Sequence, residues 1–304
     1  MILKQPYVVC YGEILWDVFP QGSKAGGAPF NVAYNLSRMG FDVNMISRIG
    51  DDERGSALIH KIEDWGLNTA NIQVDLEKPT STVQATFDEN NEASYEIIND
   101  VAWDRIALLP EHPELVSQAE AFIFGSLCAR NPISRSTLFS LLEHAKFRVF
   151  DVNFRPPFVD PSLILEILYK TDLLKTNKAE LKEMLTFVGK NYSNEDDAAR
   201  YVQDHFDIPE LLLTKGSKGA KYYRAGKIYQ QDAFSVEIAD TVGSGDAFLA
   251  GFLSKRLKQA DPEVVLKQAI ALGAFITARI GGTPDYNYQQ FTVFRDESDI
   301  KPAK

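Results

Sequence analysis

The chain has 304 residues, a formal net charge of −10 and a pI near 5.0. That acidic balance argues against nucleic acid or an anionic membrane as partner, and any phosphate it binds must find local donors rather than a global field. No segment approaches the roughly 18 uninterrupted apolar residues of a membrane span, and 304 residues suffice for one large α/β domain.

Strand-like and helical segments alternate along the chain. Met1 to Pro6 lacks the apolar core of a signal peptide, and a cytoplasmic location is expected. Tyr7 to Tyr11 reads as a buried strand. Gly26-Gly27 then opens a helix in which Val32, Ala33, Leu36 and Met39 recur at helical spacing, with Gly40 suited to its C-terminal cap. Val43 to Ile46 is a second strand. From Ile72 to Ile98 the helical period is lost. Thr80 to Phe87 alternates with β-branched residues, Asp88 to Glu92 reads as a turn, and Ala93 to Ile98 returns as a strand. This region is expected to form a β-hairpin in a small sheet outside the main core, an ordinary sheet edge being the plainer alternative. Further apolar runs lie at Ala121 to Phe124, Phe147 to Phe150, Leu173 to Thr176 and Leu211 to Leu213. Helices are predicted to begin at Asn131-Pro132, and at Ser193 with Asp196 three residues on. Tyr222 to Tyr229 has a hairpin pattern, and helices are expected over Ala247 to Leu257 and Val264 to Ile280. The alternation predicts a mostly parallel sheet covered by helices on both faces, a single α/β domain over 1–304 with a small β-hairpin sheet from about 72–98. Cys10 and Cys128 sit in apolar surroundings and are expected as buried thiols. His60, His112, His144 and His205 show no metal-ligand spacing and are expected at the surface.

The chemistry concentrates in Asp240-Thr241-Val242-Gly243-Ser244-Gly245-Asp246, directly before a helix. Gly243 and Gly245 allow a tight turn, and the following first helical turn offers unpaired N–H groups and the positive end of the helix dipole. That is an anion site. An aspartate at the same spot fits a base acting beside a bound phosphate, so phosphoryl transfer is one reading and a simple turn with an N-cap is the other. Neither a G-x-G-x-x-G dinucleotide fingerprint nor a P-loop is present. In the first motif, Gly26 and Gly27 permit close approach to a small polar ligand, and Asn31 offers a donor and an acceptor.

Together, Gly26 to Gly40 and Asp240 to Asp246 resemble the N-terminal and C-terminal signatures of the ribokinase-type sugar kinases, the phosphofructokinase B family. The resemblance runs from Tyr7 to about Pro284, and Gly12-Glu13-Ile14-Leu15-Trp16-Asp17 is most similar to the fructokinase branch. Ser244 stands where the family more often has alanine. The resemblance implies ATP and magnesium as cofactors, a sugar as partner, and a lid that closes over the sugar and often forms a homodimer contact. It implies Asp246 as base, with Gly243, Ser244 and Gly245 donating to the γ-phosphate and Arg155 near the transferring group. It implies Asp17 as acceptor of two sugar hydroxyls, with Gly26, Gly27, Asn31 and Asn153 beside it. Asn153 and Arg155 also follow a predicted strand, where ligands bind in open α/β sheets. Asn177-x-x-Glu180 resembles the element that orders magnesium-bound water and phosphate. Thr214, Gly216 and Gly219 form a turn suited to nucleotide phosphate or ribose, a plain hairpin being the alternative. Gly273, with Ala271 and Ala274, suits either a flat adenine or close helix packing. Asp240, with carbonyls near Gly281, resembles a potassium site. The helix N-terminus is expected to keep Asp246 ionised and so to weaken it as a base. The hairpin from Thr80 to Val101 has no lysine or arginine, and its Asp88, Glu89, Glu92, Glu96 and Asp100 would repel an anion. A neutral sugar is therefore expected, and the resemblance to the fructokinase branch implies D-fructose. The alternatives are ribose, 2-keto-3-deoxygluconate, and a sugar-binding regulator without catalysis.

Overall fold

Tyr7–Tyr11 (β1) is buried on both sides, and its side chains alternate between two apolar cores. Val8 and Cys10 point into one, Val9 and Tyr11 into the other. A strand with both faces covered must lie inside a sheet, and β1 does. The computed structural model describes residues 7–19, 22–87 and 93–298.

After β1 come β2 (Leu15–Phe19), β3 (Gly22–Gly26), α1 (Ala28–Arg38), β4 (Asp42–Gly50), α2 (Glu53–Asp64), β5 (Ile72–Asp75), β6 (Ser81–Phe87) and β7 (Ala93–Ile97). The middle of the chain holds α3 (His112–Gln118), β8 (Ala121–Gly125), α4 (Pro132–Leu142), β9 (Arg148–Asp151), α5 (Pro161–Leu168), β10 (Leu173–Asn177), α6 (Lys178–Phe187) and α7 (Glu195–Phe206). Then follow β11 (Glu210–Thr214), β12 (Ala220–Arg224), β13 (Lys227–Gln231), α8 (Ser244–Arg256), α9 (Pro262–Thr277) and α10 (Tyr288–Ser298).

The main sheet has nine strands in the order β13-β12-β11-β10-β9-β8-β1-β4-β5. It is parallel from β11 to β5, with β12 and β13 added antiparallel at one edge. One core lies between the sheet and α1, α2, α8 and α9, the other between the sheet and α3 to α7. This is the expected mostly parallel sheet with helices on both faces.

The small sheet differs from expectation in two ways. It has four strands, β3-β2-β6-β7, so the segment between Leu15 and Gly26 supplies half of it. Ile72–Asp75 is not part of it. It pairs in parallel with Ser47–Gly50 as the edge strand of the main sheet, so the small sheet begins at Ser81 rather than at 72. A four-residue alternating run looks the same locally whichever sheet it joins, because the partner strand decides. The expected turn at Asp88 to Glu92 lies outside the described residues. Two local readings also shift. The helix expected from Ser193 is capped by Asn194, whose side chain accepts from the N–H groups of Asp196 and Asp197. His112 is fully buried rather than at the surface, its Nδ1 accepting from the Leu109 N–H at 3.3 Å. Cys10 and Cys128 are buried free thiols, as expected. Among the described residues no helix is long and apolar enough to cross a membrane.

Helix α8 is buried from Asp246 to Ser254 and packs closely on α9 and α1. Gly251 makes that approach possible: a Cβ there would stand 2.9 Å from the Gln268 carbonyl oxygen and 3.0 Å from Ala269 Cα. Both obstacles are parts of a neighbouring helix and cannot swing aside. Gly251→Val is expected to lower the unfolding free energy by about 1–3 kcal/mol through overpacking, read as a lower urea midpoint at unchanged slope.

Candidate active site

The two glycine motifs, far apart in the chain, converge at one hydrogen bond. Asn31 Nδ2 on α1 donates to Asp246 Oδ2 on α8 at 2.8 Å, and both side chains are buried. Each is placed by its helix start. Gly243 is the residue before α8, with φ 73°, and a side chain there would run into Gly282. Only glycine meets both demands. No side chain caps this helix end; the Ser244 N–H donates to the Thr241 carbonyl at 3.3 Å, and the N–H groups of Gly245 and Asp246 are left for an anion. Asp246 is the third helical residue and sits beside those donors. Behind them, Ser244 Oγ accepts from Thr277 Oγ1 at 2.9 Å, which ties the loop to α9.

Next to the loop lies a buried ion pair that sequence reasoning missed. Lys175 Nζ donates to both oxygens of Asp151 at 2.7 Å. It also lies 3.4 Å from where a Cβ on Gly245 would stand, so Gly245 faces this pair. The signal was present in Leu173-Leu174-Lys175-Thr176, a lysine inside a fully buried strand. Glu180 completes the cluster. It forms a capping box with Asn177, its Oε2 accepting from the Asn177 N–H at 2.8 Å, and its Oε1 accepts from the Phe154 N–H at 3.2 Å. The Asn177-x-x-Glu180 element therefore knits the loop after β9 to the start of α6. That loop carries Asn153, held at φ 43°, and Arg155.

Asp17 lies in the middle of β2, not after a strand pair, and so belongs to the small sheet. Its carboxylate packs on the bare backbone of Gly26, where a side chain would collide with it. Glu13 is a second missed residue. It is buried, its Oε1 accepts from the Ala28 N–H at 3.3 Å, and its Oε2 has no partner among the described residues. Its neighbour Gly27 has φ 111° and lies against the Glu13 carbonyl.

Burial dominates the electrostatics of these acids. It pushes Asp246 up to about 6, helped by Asp151 and opposed by Lys175, by the Asn31 hydrogen bond and by Arg155. At about 6 the Asp246 carboxyl is still ionised at neutral pH, as expected, but burial makes it more basic than the helix N-terminus alone would suggest. Burial also pushes Asp17 up to about 7, with Asp246 and Asp240 adding to the rise and Arg155 opposing it. Glu13 rises to about 7 for the same first reason. Asp17, Asp246, Glu13 and Arg155 thus lie within electrostatic reach of one another, across both sheets. Burial lowers the Lys175 pKa, but Asp151 and Asp246 outweigh it and the net shift is upward, so the lysine stays charged.

Other expected residues are explained by packing. Gly219 turns at φ 81° against the Gln231 carbonyl, and Gly216 opens the short turn before it, as a plain hairpin requires. Thr214 Oγ1 donates to the Thr176 carbonyl at 3.4 Å. Gly273 faces Phe248 and the Ser244 carbonyl, so close helix packing accounts for it. Asp240 accepts from the Val242 and Gly281 N–H groups at 3.0 and 2.9 Å and thereby stitches the glycine loop to the loop after α9. Among the described residues no cluster of three or more His, Cys, Asp or Glu is arranged to hold a metal ion.

One further residue was overlooked because the small sheet was drawn too small. Lys24 on β3 stands directly opposite Asp17 on β2, and its stem lies beside Gly281. The small sheet thus carries an exposed cation after all. Asp100, counted on as a repelling charge, is engaged by Lys78 and Arg105.

A family model described as pfkB family carbohydrate kinase matches residues 5–287. The chain belongs to the pfkB family of carbohydrate kinases. It is 30% identical to a protein of Arabidopsis thaliana named "Probable fructokinase-6, chloroplastic", over 83% of this chain and 70% of that one. It is 29% identical to fructokinase-1 of Zea mays over 91% of this chain and 93% of that one. Among solved structures, a fructokinase of Xylella fastidiosa matches with a TM-score of 0.84 at 23% identity, over 96% of this chain and 99% of that chain. A fructokinase of Vibrio cholerae O395 matches with a TM-score of 0.81 at 22% identity, over 96% and 99%. These likenesses show a ribokinase-like fold, and the small sheet is its lid-like element.

The raised carboxylates of this kinase make its pH behaviour testable. If Asp246 is the base that the resemblance implies, it must be ionised to accept a proton, and turnover should fall as pH drops through about 6. Stability should move the other way. A carboxylate whose folded pKa lies above its unfolded value binds a proton in the folded state first, so stability falls as pH rises from about 4 to about 7. Glu13, Asp17 and Asp246 all act in this sense, while His112, whose pKa burial lowers, opposes them. The ligand-free kinase is expected to melt at higher temperature at pH 5.5 than at pH 7.5, by calorimetry. A higher melting temperature at pH 7.5 would contradict the shared burial of the three acids.

Proposed function

We propose that this carbohydrate kinase transfers the γ-phosphate of ATP to a primary hydroxyl of a neutral sugar, D-fructose. The observation that carries the reading is the Asn31–Asp246 hydrogen bond. It holds a base of suitable pKa at an uncapped helix N-terminus that faces Asp17. The sugar is held by Asp17, Asn31 and Asn153 above the Gly26-Gly27 backbone. Asp246 takes the proton of the attacking hydroxyl. The Gly243-Ser244-Gly245 loop donates to the γ-phosphate as charge builds on it, and Arg155 adds a positive charge that the loop lacks. In a loose phosphoryl transition state the proton leaves late, so a well-placed acceptor matters more than a strong one. The Xylella fastidiosa structure is described with bound ATP, and the Vibrio cholerae one with fructose, ADP and calcium ion, which supports this choice of substrates.

Protein donors for a divalent cation are few: both oxygens of Asp151 hold Lys175, both of Glu180 accept backbone N–H groups, and Asp246 has one oxygen outside its bond to Asn31. Asp151, Glu180 and Asp246 surround a single lysine, which leaves surplus negative charge where phosphates would lie. Magnesium keeps several waters and is commonly held by one or two carboxylates plus substrate phosphates, so it needs no all-protein cage. Once bound, it would neutralise charge on the β- and γ-phosphates. We also assign a cytoplasmic location, in keeping with two free thiols, and a homodimer contact through the small sheet. A potassium ion near Asp240 stays a weaker assignment, because both of its oxygens already accept backbone N–H groups.

Lys24 favours a second reading. Placed opposite Asp17, it offers a partner to an anionic acceptor such as 2-keto-3-deoxygluconate. A coupled assay offering fructose, ribose, 2-keto-3-deoxygluconate and fructose 6-phosphate at equal concentration decides between the two. Fructose is expected to give the highest kcat/KM. A higher value for an anionic sugar would overturn the specificity and leave the kinase standing, whereas no turnover with any sugar would favour a regulator.

Two variants test the machinery. Asp246→Asn should lower kcat by roughly 10²–10⁴ with sugar and ATP binding little changed, and wild-type kcat would remove Asp246 from the reaction. Gly245→Val should lose ATP turnover while retaining its circular dichroism spectrum. Normal turnover in that variant would place the phosphate elsewhere.

A further inference from the structure

The guanidinium of Arg130 is almost wholly buried, although it lies in no motif and touches none of the site residues above. Three separate parts of the fold meet on it. Its Nε and Nη2 donate to the two oxygens of Asp104 at 2.7 and 2.8 Å. Nη2 also donates to the carbonyl of Ile98, the residue that follows the last strand of the small sheet, at 2.7 Å. Its flat faces are covered by Trp103 at 4.1 Å and by Phe158 at 4.5 Å from the ring centroids. Phe158 belongs to the active-site loop. Its N–H donates to the Arg155 carbonyl at 2.8 Å and closes a turn that begins at Arg155. The other side of that turn is fixed by Glu180 through the Phe154 N–H.

We infer that Arg130 is a positioning residue that couples the exit of the small sheet to the Arg155 turn. A buried Arg–Asp pair alone would explain the Asp104 contact. It would not explain why one guanidinium is shared between the strand exit at Ile98 and a ring two residues past Pro156. A planar fork can hydrogen-bond in its plane and stack on both faces at once, which a lysine cannot do. Movement of the small sheet at Ile98 therefore reaches Arg155 through a rigid, desolvated stack rather than through the chain. This inference rests on the proposed role of Arg155 in the reaction.

The test is a double-mutant cycle on kcat/KM for the sugar, using Arg130→Lys and Arg155→Ala singly and together, with urea denaturation as a stability control. Misplacing a group by about 1 Å can cost up to 10²-fold in rate. Arg130→Lys is accordingly expected to lower kcat/KM for the sugar by roughly ten- to a hundredfold, with KM for ATP unchanged. In the Arg155→Ala background the same change should have little further effect, because the group it positions is gone. If the two losses multiply, Arg130 acts only on general stability and the coupling is overturned. If Arg155→Ala turns over at the wild-type rate, Arg155 leaves the mechanism and the inference falls with it, a result distinct from multiplied losses. Should Arg130→Lys fail to fold, Phe158→Leu removes the stacked face nearest Arg155 and must show the same non-additivity.

Discussion

Everything about this site depends on one buried hydrogen bond between side chains 215 positions apart, from Asn31 to Asp246. Asn31 reaches Asp246 only because α1 starts at Gly27, where the chain turns at φ 111° tight against the Glu13 carbonyl. Asp246 meets it only because α8 starts at Gly243, pressed against Gly282. Gly282 also lies against the Asn31 amide, and Asn35 one turn further along α1 donates to the Gly282 carbonyl at 3.3 Å. Two helix starts and one loop are thus locked in a single arrangement. The bond occupies one carboxylate oxygen of Asp246 and leaves the other for a reacting hydroxyl. Without the amide, a buried carboxylate oxygen would lose its partner, which costs about 1–3 kcal/mol or more for a charged group.

Around that bond the protein stores electrostatic strain. Burial raises Asp246, Asp17 and Glu13, and each sits in the field of at least one other acid. Lys175 relieves only part of this, because Asp151 holds it through both oxygens. Such a cluster is costly in the free protein and is eased by whatever brings positive charge or donates hydrogen bonds into it. A sugar hydroxyl on Asp17 and a cation with the nucleotide would do both. Repulsion among these acids and affinity for a ligand that relieves it are then linked.

What could be read in the sequence was what is encoded locally. The glycine loop, the base beside it and the Asn31 helix announce themselves by residue type and spacing, and the alternation of elements implies the layered sheet. Asn177 and Glu180 stand out as a pair only through the family resemblance, because locally they read as an ordinary helix start, and the hold of Glu180 on the Phe154 N–H has no local signal at all. Lys175, Glu13 and Gly282 went unnoticed because each matters only through a neighbour brought in from another part of the chain. The same holds for Ile72–Asp75, whose four residues would suit either sheet until β4 pairs with them. Thr214, Gly219 and Gly273 show the converse ambiguity. A resemblance offered them ligands, whereas turn geometry and helix packing already explain their presence.

The division of the site between two sheets has a mechanical consequence. Asp17 rides on the small sheet, while Asp246 and Lys175 are fixed to the main one. The chain leaves the main sheet after β1 at Gly12, with φ 141°, and returns to α1 at Gly27, with φ 111°. Both conformations are open to glycine and costly for other residues, and both glycines are hemmed in, Gly12 by Pro29 and Cys128 and Gly27 by Glu13. The two joints are therefore defined crossings rather than slack linkers. β3 is further held where Thr283 donates to the Ala25 carbonyl at 2.9 Å. Under the proposed roles, a sugar bound by Asp17 and presented to Asp246 must bridge these two bodies, so its binding energy is spent on setting their relation as well as on holding the sugar. On that proposal a lid-like sheet makes phosphoryl transfer depend on an acceptor being present: until the hydroxyl spans the gap, the proposed base and the proposed sugar-binding carboxylate belong to different halves of the molecule.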